Sequence, residues 1–208
     1  MPKRLWAAMF AGGVFAFGAA QAAPLPPEPP SKVYVPGNQK RFQEGVAAFD
    51  AHDYAKAYAI FTELARHHDI AALRNVAYMQ RKGLGTKRNP KAALDNYKLA
   101  AVAGMPTAAA DLGQMLLYGE AGPADPKAAL RWLKMAAAAS HPVAQFLLGQ
   151  MYEFGEAVPQ DYQKAKRLYA ASAARGYTPA IYRLSYLNGW PMPSFDNTAA
   201  PAHAAPKK

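Results

Sequence analysis

The chain has 208 residues, of which 51% are hydrophobic, and it contains no cysteine. This length is sufficient for one domain with a continuous core, and the missing cysteines exclude disulfides and cysteine-ligated metal sites. The 24 Lys and Arg residues outnumber the 14 Asp and Glu residues and give a formal net charge of +10, which favours anionic partners. No nucleic-acid-binding motif accompanies this charge, so we expect no nucleic-acid partner.

The N-terminal segment has the pattern of a secretory signal peptide. Two basic residues precede an apolar run over residues 5–20, and an A-x-A cleavage motif ends at Ala22. We therefore expect a signal peptide over residues 1–22 and a periplasmic or secreted protein. An uncleaved membrane anchor is the alternative, but the run is shorter than the roughly 20 residues that span a bilayer. The six prolines of residues 23–38 predict an extended linker.

From about residue 70 onward the sequence repeats with a period of 36 residues. A period between roughly 20 and 50 residues is typical of a solenoid, in which each unit buries its apolar face against its neighbours. The pattern predicts units over residues 69–104, 105–140 and 141–177. The following sets show the spacing: Ala72, Ala108, Ala144 and Ala180; Met79, Met115 and Met151; Gly83, Gly119 and Gly155; Ala93, Ala129 and Ala165.

Each unit is predicted to contain two helices. In the third unit, apolar residues recur from Ala144 to Tyr152 at the spacing of one helix face, and Gly155 supplies a left-handed stop. Asp161 then provides an N-cap for the second helix. Asn-Pro and Asp-Pro pairs hold the same position in the two earlier units, where proline fits the first helical turn. Gly149 is predicted to lie where two helices approach closely.

The two ends of the repeat region depart from the pattern. Residues 39–68 are predicted to form a degenerate first unit with a shortened first helix, and this unit caps the N-terminal end. Residues 178–190 supply one more first helix, which caps the C-terminal end. Residues 191–208 are rich in Ala and Pro, and we expect them to be disordered. The layout is thus about nine helices.

The third unit carries a recognisable family pattern. The residues from Ala144 to Gly176 read A-x3-LG-x2-Y-x2-G-x2-V-x2-D-x2-KA-x3-Y-x3-A-x2-G and resemble a Sel-one-like repeat of the tetratricopeptide superfamily, here of an exported bacterial type. The resemblance covers about residues 70–190 and weakens toward the first of the three units. It implies an all-α, right-handed solenoid of antiparallel helix pairs that serves as a protein–protein scaffold. It implies no reaction.

No group of residues predicts catalysis. His67-His68-Asp69 is the one cluster of candidate metal ligands, but adjacent residues do not share a helix face and no Cys pair or H-E-x-x-H motif accompanies them. Roles at helix ends explain these residues better. No S-x-x-K, G-x-S-x-G or Gly-rich phosphate loop is present. We therefore predict no catalytic residues, no cofactor and no metal site.

Solenoid geometry points to a candidate binding surface. First helices line the concave side, and side chains outside their buried stripe face the groove. We predict a monomeric scaffold that binds a protein or peptide there, with an acidic partner favoured by the net charge. Packing between adjacent first helices is the alternative role for several of the tyrosines. The predicted groove residues are Arg74, Tyr78, Arg81, Lys82, Gln114, Tyr118, Phe146, Gln150, Glu153, Phe154, Tyr182 and Tyr186.

The alternative function is an exported hydrolase of the β-lactam-binding or β-lactam-hydrolysing type, or another cell-wall-associated enzyme. The resemblance suggests this activity because certain secreted members of the family have been assigned it. Those members carry one disulfide per repeat, whereas this chain has no cysteine. The scaffold is therefore the preferred prediction.

Overall fold

A computed structural model of the chain describes residues 38–189, which form nine α-helices and no β-strand. The predicted signal peptide, most of the Pro-rich linker and the C-terminal tail lie outside this range. No helix within it combines the length and the apolar character that crossing a membrane requires. In chain order the helices are α1 (Asn38–Asp50), α2 (Tyr54–Arg66), α3 (Ile70–Lys82), α4 (Pro90–Val102), α5 (Pro106–Tyr118), α6 (Pro126–Ala138), α7 (Pro142–Phe154), α8 (Tyr162–Ala173) and α9 (Thr178–Leu187).

The helices stack in chain order. Each helix packs against the one before it and the one after it, and α5 also contacts α7 directly. The first helices of successive units therefore approach each other on one side of the stack, which we call the inner side. This arrangement confirms the predicted all-α solenoid of helix pairs.

The prediction of a shortened first helix in the first unit is wrong. α1 has 13 residues, as have α3, α5 and α7. The shorter part of this unit is the connection to α2, which spans only residues 51–53, whereas residues 83–89 connect α3 to α4. The unit therefore lacks the glycine-containing loop of the repeat pattern, while its helix keeps the full length.

The capping residues predicted from the sequence lie at the helix ends and cap them. Asp125 Oδ1 accepts a 2.9 Å hydrogen bond from the Ala128 N–H at the start of α6. Asp161 Oδ1 accepts one of 2.8 Å from the Lys164 N–H at the start of α8. Gly155 ends α7 with φ at 69°, in the left-handed region that glycine enters without steric cost. These contacts satisfy backbone groups that a helix leaves unpaired at its ends.

The residues that show the 36-residue period form the interior of the stack. One cluster of buried side chains extends from α1 to α3, a second extends from α3 to α8, and α3 contributes to both. The interior is therefore continuous along the stack, as expected when units bury their apolar faces against their neighbours. Fully buried members of the periodic sets are Ala72, Ala108, Ala144, Ala180, Met79, Met115 and Met151.

The two helices of a unit approach closely at a glycine. A Cβ atom built on Gly149 of α7 would lie 2.7 Å from Cε1 of Tyr169 on α8, and the Tyr169 side chain is fully buried. In the preceding unit, a Cβ atom on Gly113 would lie 2.7 Å from Leu133. The predicted small residue at this position is thus a requirement of packing.

We expect the Gly149→Leu substitution to lower the free energy of unfolding by more than about 3 kcal/mol. Overpacking typically costs about 1–3 kcal/mol, and here the ring in the way is fully buried and has little room to move. Urea denaturation followed by far-ultraviolet circular dichroism measures the change. The control is Gly122→Leu, because no atom lies within 4 Å of a Cβ built on Gly122. Equal losses in the two variants would contradict the close contact.

Candidate functional site

The first helices end in a row of exposed side chains. Lys82, Tyr118 and Phe154 are the last residues of α3, α5 and α7 and occupy the same repeat position, 36 residues apart. Tyr118 is 53% exposed and Phe154 is 44% exposed. α9 adds Tyr186, which is 57% exposed. We call Tyr118, Phe154 and Tyr186 the aromatic ladder, since they follow one another along the last three units of the stack.

A buried ion-pair network joins α3 to the following unit, which carries Tyr118. On α3, Arg74 Nε and Nη2 donate hydrogen bonds of 3.0 and 2.9 Å to Asp111 Oδ2 on α5. Arg81 Nε donates a 2.7 Å hydrogen bond to Glu120 Oε2, and Arg81 Nη1 lies 3.7 Å from Asp111 Oδ1. Burial disfavours the charged form of Arg81, but its hydrogen bonds to Glu120 outweigh this and raise its pKa. The positive charges of two arginines on one unit are thus balanced by the negative charges of two carboxylates on the next unit.

A second network joins the last three helices. Glu153 of α7 is only 3% exposed, and its Oε2 accepts hydrogen bonds of 2.7 Å from the Tyr169 hydroxyl and 2.9 Å from Arg183 Nε. Arg183 Nη2 donates to the other carboxylate oxygen. Burial and the neighbouring Glu153 carboxylate raise the pKa of Tyr169. Glu153 therefore links α7, α8 and α9.

The second network also orders part of the aromatic ladder. The Arg183 guanidinium carbon lies 5.7 Å from the Phe154 ring centroid and 5.0 Å from the Tyr186 ring centroid. Both distances are within the range of cation–π attraction. Because Glu153 positions Arg183, this buried carboxylate indirectly favours the observed positions of two exposed rings.

The structure divides the predicted groove residues into three groups. Arg74, Arg81 and Glu153 are buried and engaged in ion pairs, so they support the surface rather than form it. The half-buried residues are Tyr78, Gln114, Phe146, Gln150 and Tyr182. The exposed residues are Lys82, Tyr118, Phe154 and Tyr186.

Two half-buried aromatic residues of the predicted groove take part in packing. Tyr78 lies 6.3 Å from the Phe49 ring, and Phe146 lies 5.5 Å from Tyr169 and 5.3 Å from Tyr177, measured between ring centroids. Phe49 and Tyr78 belong to the adjacent first helices α1 and α3. Tyr78 therefore has the packing role that the sequence left open as an alternative for the tyrosines.

Four residues of the two networks were missing from the predicted set: Asp111, Glu120, Tyr169 and Arg183. Asp111 and Arg183 occupy the same repeat position, which is filled by Asn75 in the first matching unit and by Leu147 in the third. Leu147 is 3% exposed and Asp111 is 9% exposed. A charged residue at a position that is apolar in another unit is the signal of a buried ion pair, and it was available in the sequence.

The candidate metal ligands lie where α2 ends and α3 begins. Asp69 Oδ1 accepts a 2.9 Å hydrogen bond from the Ala72 N–H at the start of α3, and His67 lies at the C-terminal end of α2. Within residues 38–189, no group of three or more His, Cys, Asp and Glu residues is arranged to hold a metal ion.

Comparison with known protein families gives a match over most helices of the stack. The Sel1 repeat family model matches residues 70–105, 106–141, 142–177 and 178–200, which is more than half of the chain. The chain belongs to the Sel1 repeat family. The four Sel1 repeats begin at the first residues of α3, α5, α7 and α9. Sel1 repeats typically act as scaffolds for protein–protein interaction.

Solved structures share this fold. A Sel1 repeat protein from Oxalobacter formigenes is 29% identical, with a TM-score of 0.66 over 73% of this chain. The protective antigen c5321 of uropathogenic Escherichia coli, which displays an SLR fold, is 25% identical, with a TM-score of 0.66 over 72% of the chain. The immunity protein Pa5087 from Pseudomonas aeruginosa, 23% identical, has a similar fold with a TM-score of 0.53 over 73% of the chain.

The match spans only part of those proteins. It covers 63% of the Oxalobacter protein, 33% of c5321 and 58% of Pa5087. A search of curated protein sequences gives no significant match.

We expect Glu153→Gln to lower the free energy of unfolding by about 2–3 kcal/mol, because hydrogen bonds to charged groups contribute about 1.5–3 kcal/mol and a partly buried guanidinium loses its counter-charge. Thermal and urea unfolding measure the change. The matched control is Glu63→Gln, since Glu63 accepts two hydrogen bonds from Arg41 in a pair exposed at the surface. We expect little change there. A similar loss in both variants would show that the Glu153 network has no special role.

Proposed function

We propose that this Sel1 repeat chain is an exported scaffold whose inner side binds a peptide or protein segment. The observation that carries the proposal is the aromatic ladder. Aromatic side chains are enriched among the residues that dominate binding energy, and rings already held in place lose little conformational entropy on binding. The Arg183 guanidinium lies within cation–π distance of both Phe154 and Tyr186, which favours their observed positions.

The geometry of the ladder suits an elongated ligand. Tyr118, Phe154 and Tyr186 belong to three successive units, so a ligand that contacts all three must extend along the stack. Carboxylates pair with the arginines of the two ion-pair networks, Arg74, Arg81 and Arg183. Recognition on the inner side therefore rests mainly on ring contacts, with Lys82 as the exposed cation at the end of the row.

The binding test uses the variant Tyr118→Ala/Phe154→Ala/Tyr186→Ala. A partner captured by the wild-type protein from envelope extract is identified, purified and titrated against both proteins by isothermal calorimetry. We expect at least a thirtyfold weaker affinity, roughly the effect of losing one hot-spot side chain of about 2 kcal/mol.

The matched control truncates exposed apolar side chains of second helices in the variant Leu99→Ala/Met135→Ala/Tyr162→Ala. We expect wild-type affinity from this control, with circular dichroism confirming that both variants are folded. Wild-type affinity in the ladder variant would reject the inner side as the binding surface.

Export is tested separately. Residues 1–38 are fused to a phosphatase that is active only outside the cytoplasm, and the N-terminus of the natural chain is determined by mass spectrometry. We expect phosphatase activity and a mature chain that begins at Ala23. Replacing the two N-terminal basic residues Lys3 and Arg4 by Glu should reduce export, because the positive n-region is part of the signal. An inactive fusion and an intact N-terminus would contradict export.

A further inference from the structure

The second helices present a surface of a different character. α4 packs between α3 and α5, and α6 packs between α5 and α7, so each leaves one face exposed to the outside. On α4 the exposed residues are Lys91, Asp95, Lys98, Leu99 and Val102. They follow the i, i+4, i+7, i+8, i+11 spacing of one helix face. We call the exposed faces of α4 and α6, together with Arg167 of α8, the outer strip.

The strip continues from one unit to the next. The exposed residues of α6 are Lys127, Arg131, Lys134, Met135 and Ala138, each 36 residues after its counterpart on α4. Positions one period apart occupy equivalent places in a solenoid. Lys98 and Lys134 thus occupy equivalent places on neighbouring units, and so do Leu99 and Met135.

The outer strip carries an excess of positive charge. It carries six cations and a single carboxylate, Asp95. None of these cations forms an ion pair with any residue between 38 and 189, whereas Arg74, Arg81 and Arg183 of the inner side are all paired. The cations are Lys91, Lys98, Lys127, Arg131, Lys134 and Arg167.

Exposed apolar side chains occupy one end of the same strip. Leu99 is 60% exposed, Val102 is 70% exposed and Met135 is 37% exposed. Lys98 and Lys134 are their immediate neighbours in the sequence. Lysines with protruding apolar side chains beside them fit a surface that offers anionic groups above an apolar layer, which is the arrangement of an anionic lipid bilayer. An acidic polypeptide such as polyglutamate would match the lysines but would offer Leu99, Val102 and Met135 no apolar layer to enter.

We propose that the outer strip docks the stack on an anionic lipid bilayer. The lysines contact headgroup phosphates, and Leu99, Val102 and Met135 enter the interfacial region. The inner side, on the opposite face of the helix pairs, then remains free to bind a protein. Because the outer strip contains no residue of the aromatic ladder, this inference does not depend on the proposed binding groove.

The test is co-sedimentation with vesicles of phosphatidylcholine alone and of phosphatidylcholine mixed with phosphatidylglycerol. The protein is purified in the form that the cell leaves after processing. We expect stronger binding to the anionic vesicles, with a decrease as salt is added. Lys98→Gln/Lys127→Gln/Lys134→Gln should reduce the partition coefficient at least about tenfold, since each basic residue near an anionic surface contributes about a fivefold effect.

Three comparisons decide the outcome. The control Lys40→Gln/Lys56→Gln/Lys87→Gln removes the same charge from exposed lysines elsewhere and should bind almost as well as wild type; equal losses would overturn the assignment to this face. Leu99→Ser/Val102→Ser/Met135→Ser should also bind vesicles more weakly, while its binding to polyglutamate stays unchanged. Unchanged vesicle binding by this variant would overturn the lipid proposal in favour of an acidic macromolecule. The ladder variant should bind vesicles like wild type, so failure of the groove and failure of the strip are distinguishable.

Discussion

The structure depends on a contact between a small residue on one helix and a large residue on its partner. Gly149 lies against Tyr169, and Gly113 lies against Leu133. This pairing brings the two helices of a unit close together, and their remaining apolar side chains are then buried by the next unit. Since no helix pair can bury its apolar face alone, stability is a property of the whole stack.

Buried charges make the units different from one another. A single repeat position holds Asn75, Asp111, Leu147 and Arg183 in successive units. Buried ion pairs contribute little net stability, because desolvation offsets much of their attraction. Here Asp111 joins the first helices α3 and α5, and Glu153 joins α7 to α9. They favour particular contacts along the inner side, including those of Arg183 with the Phe154 and Tyr186 rings of the aromatic ladder.

The net positive charge is distributed unevenly between the two sides of the stack. On the inner side, the arginines of the ion-pair networks are matched by carboxylates, so the partner proposed for that side is recognised mainly by aromatic contact. On the outer strip, lysines stand without partners among the described residues and beside exposed apolar side chains. One helix pair thereby carries two surfaces of different chemistry, which suits a scaffold that meets two kinds of partner.

The sequence by itself determined the repeat, the helix pairs and most helix ends. These features are local: they follow from a period of 36 residues, from N-cap residues such as Asp161, and from glycines such as Gly155 that adopt positive φ. The length of α1 was the exception. The glycine-containing loop that marks the end of the other first helices is missing there, so the sequence contains no marker for the end of α1.

Only the tertiary structure decided which side chains of the first helices reach solvent. Arg74, Arg81 and Glu153 lie at positions compatible with a groove, but they are buried because carboxylates or arginines of neighbouring units are within reach. Such pairing depends on distances between units, and a helical period within one unit contains no information about them.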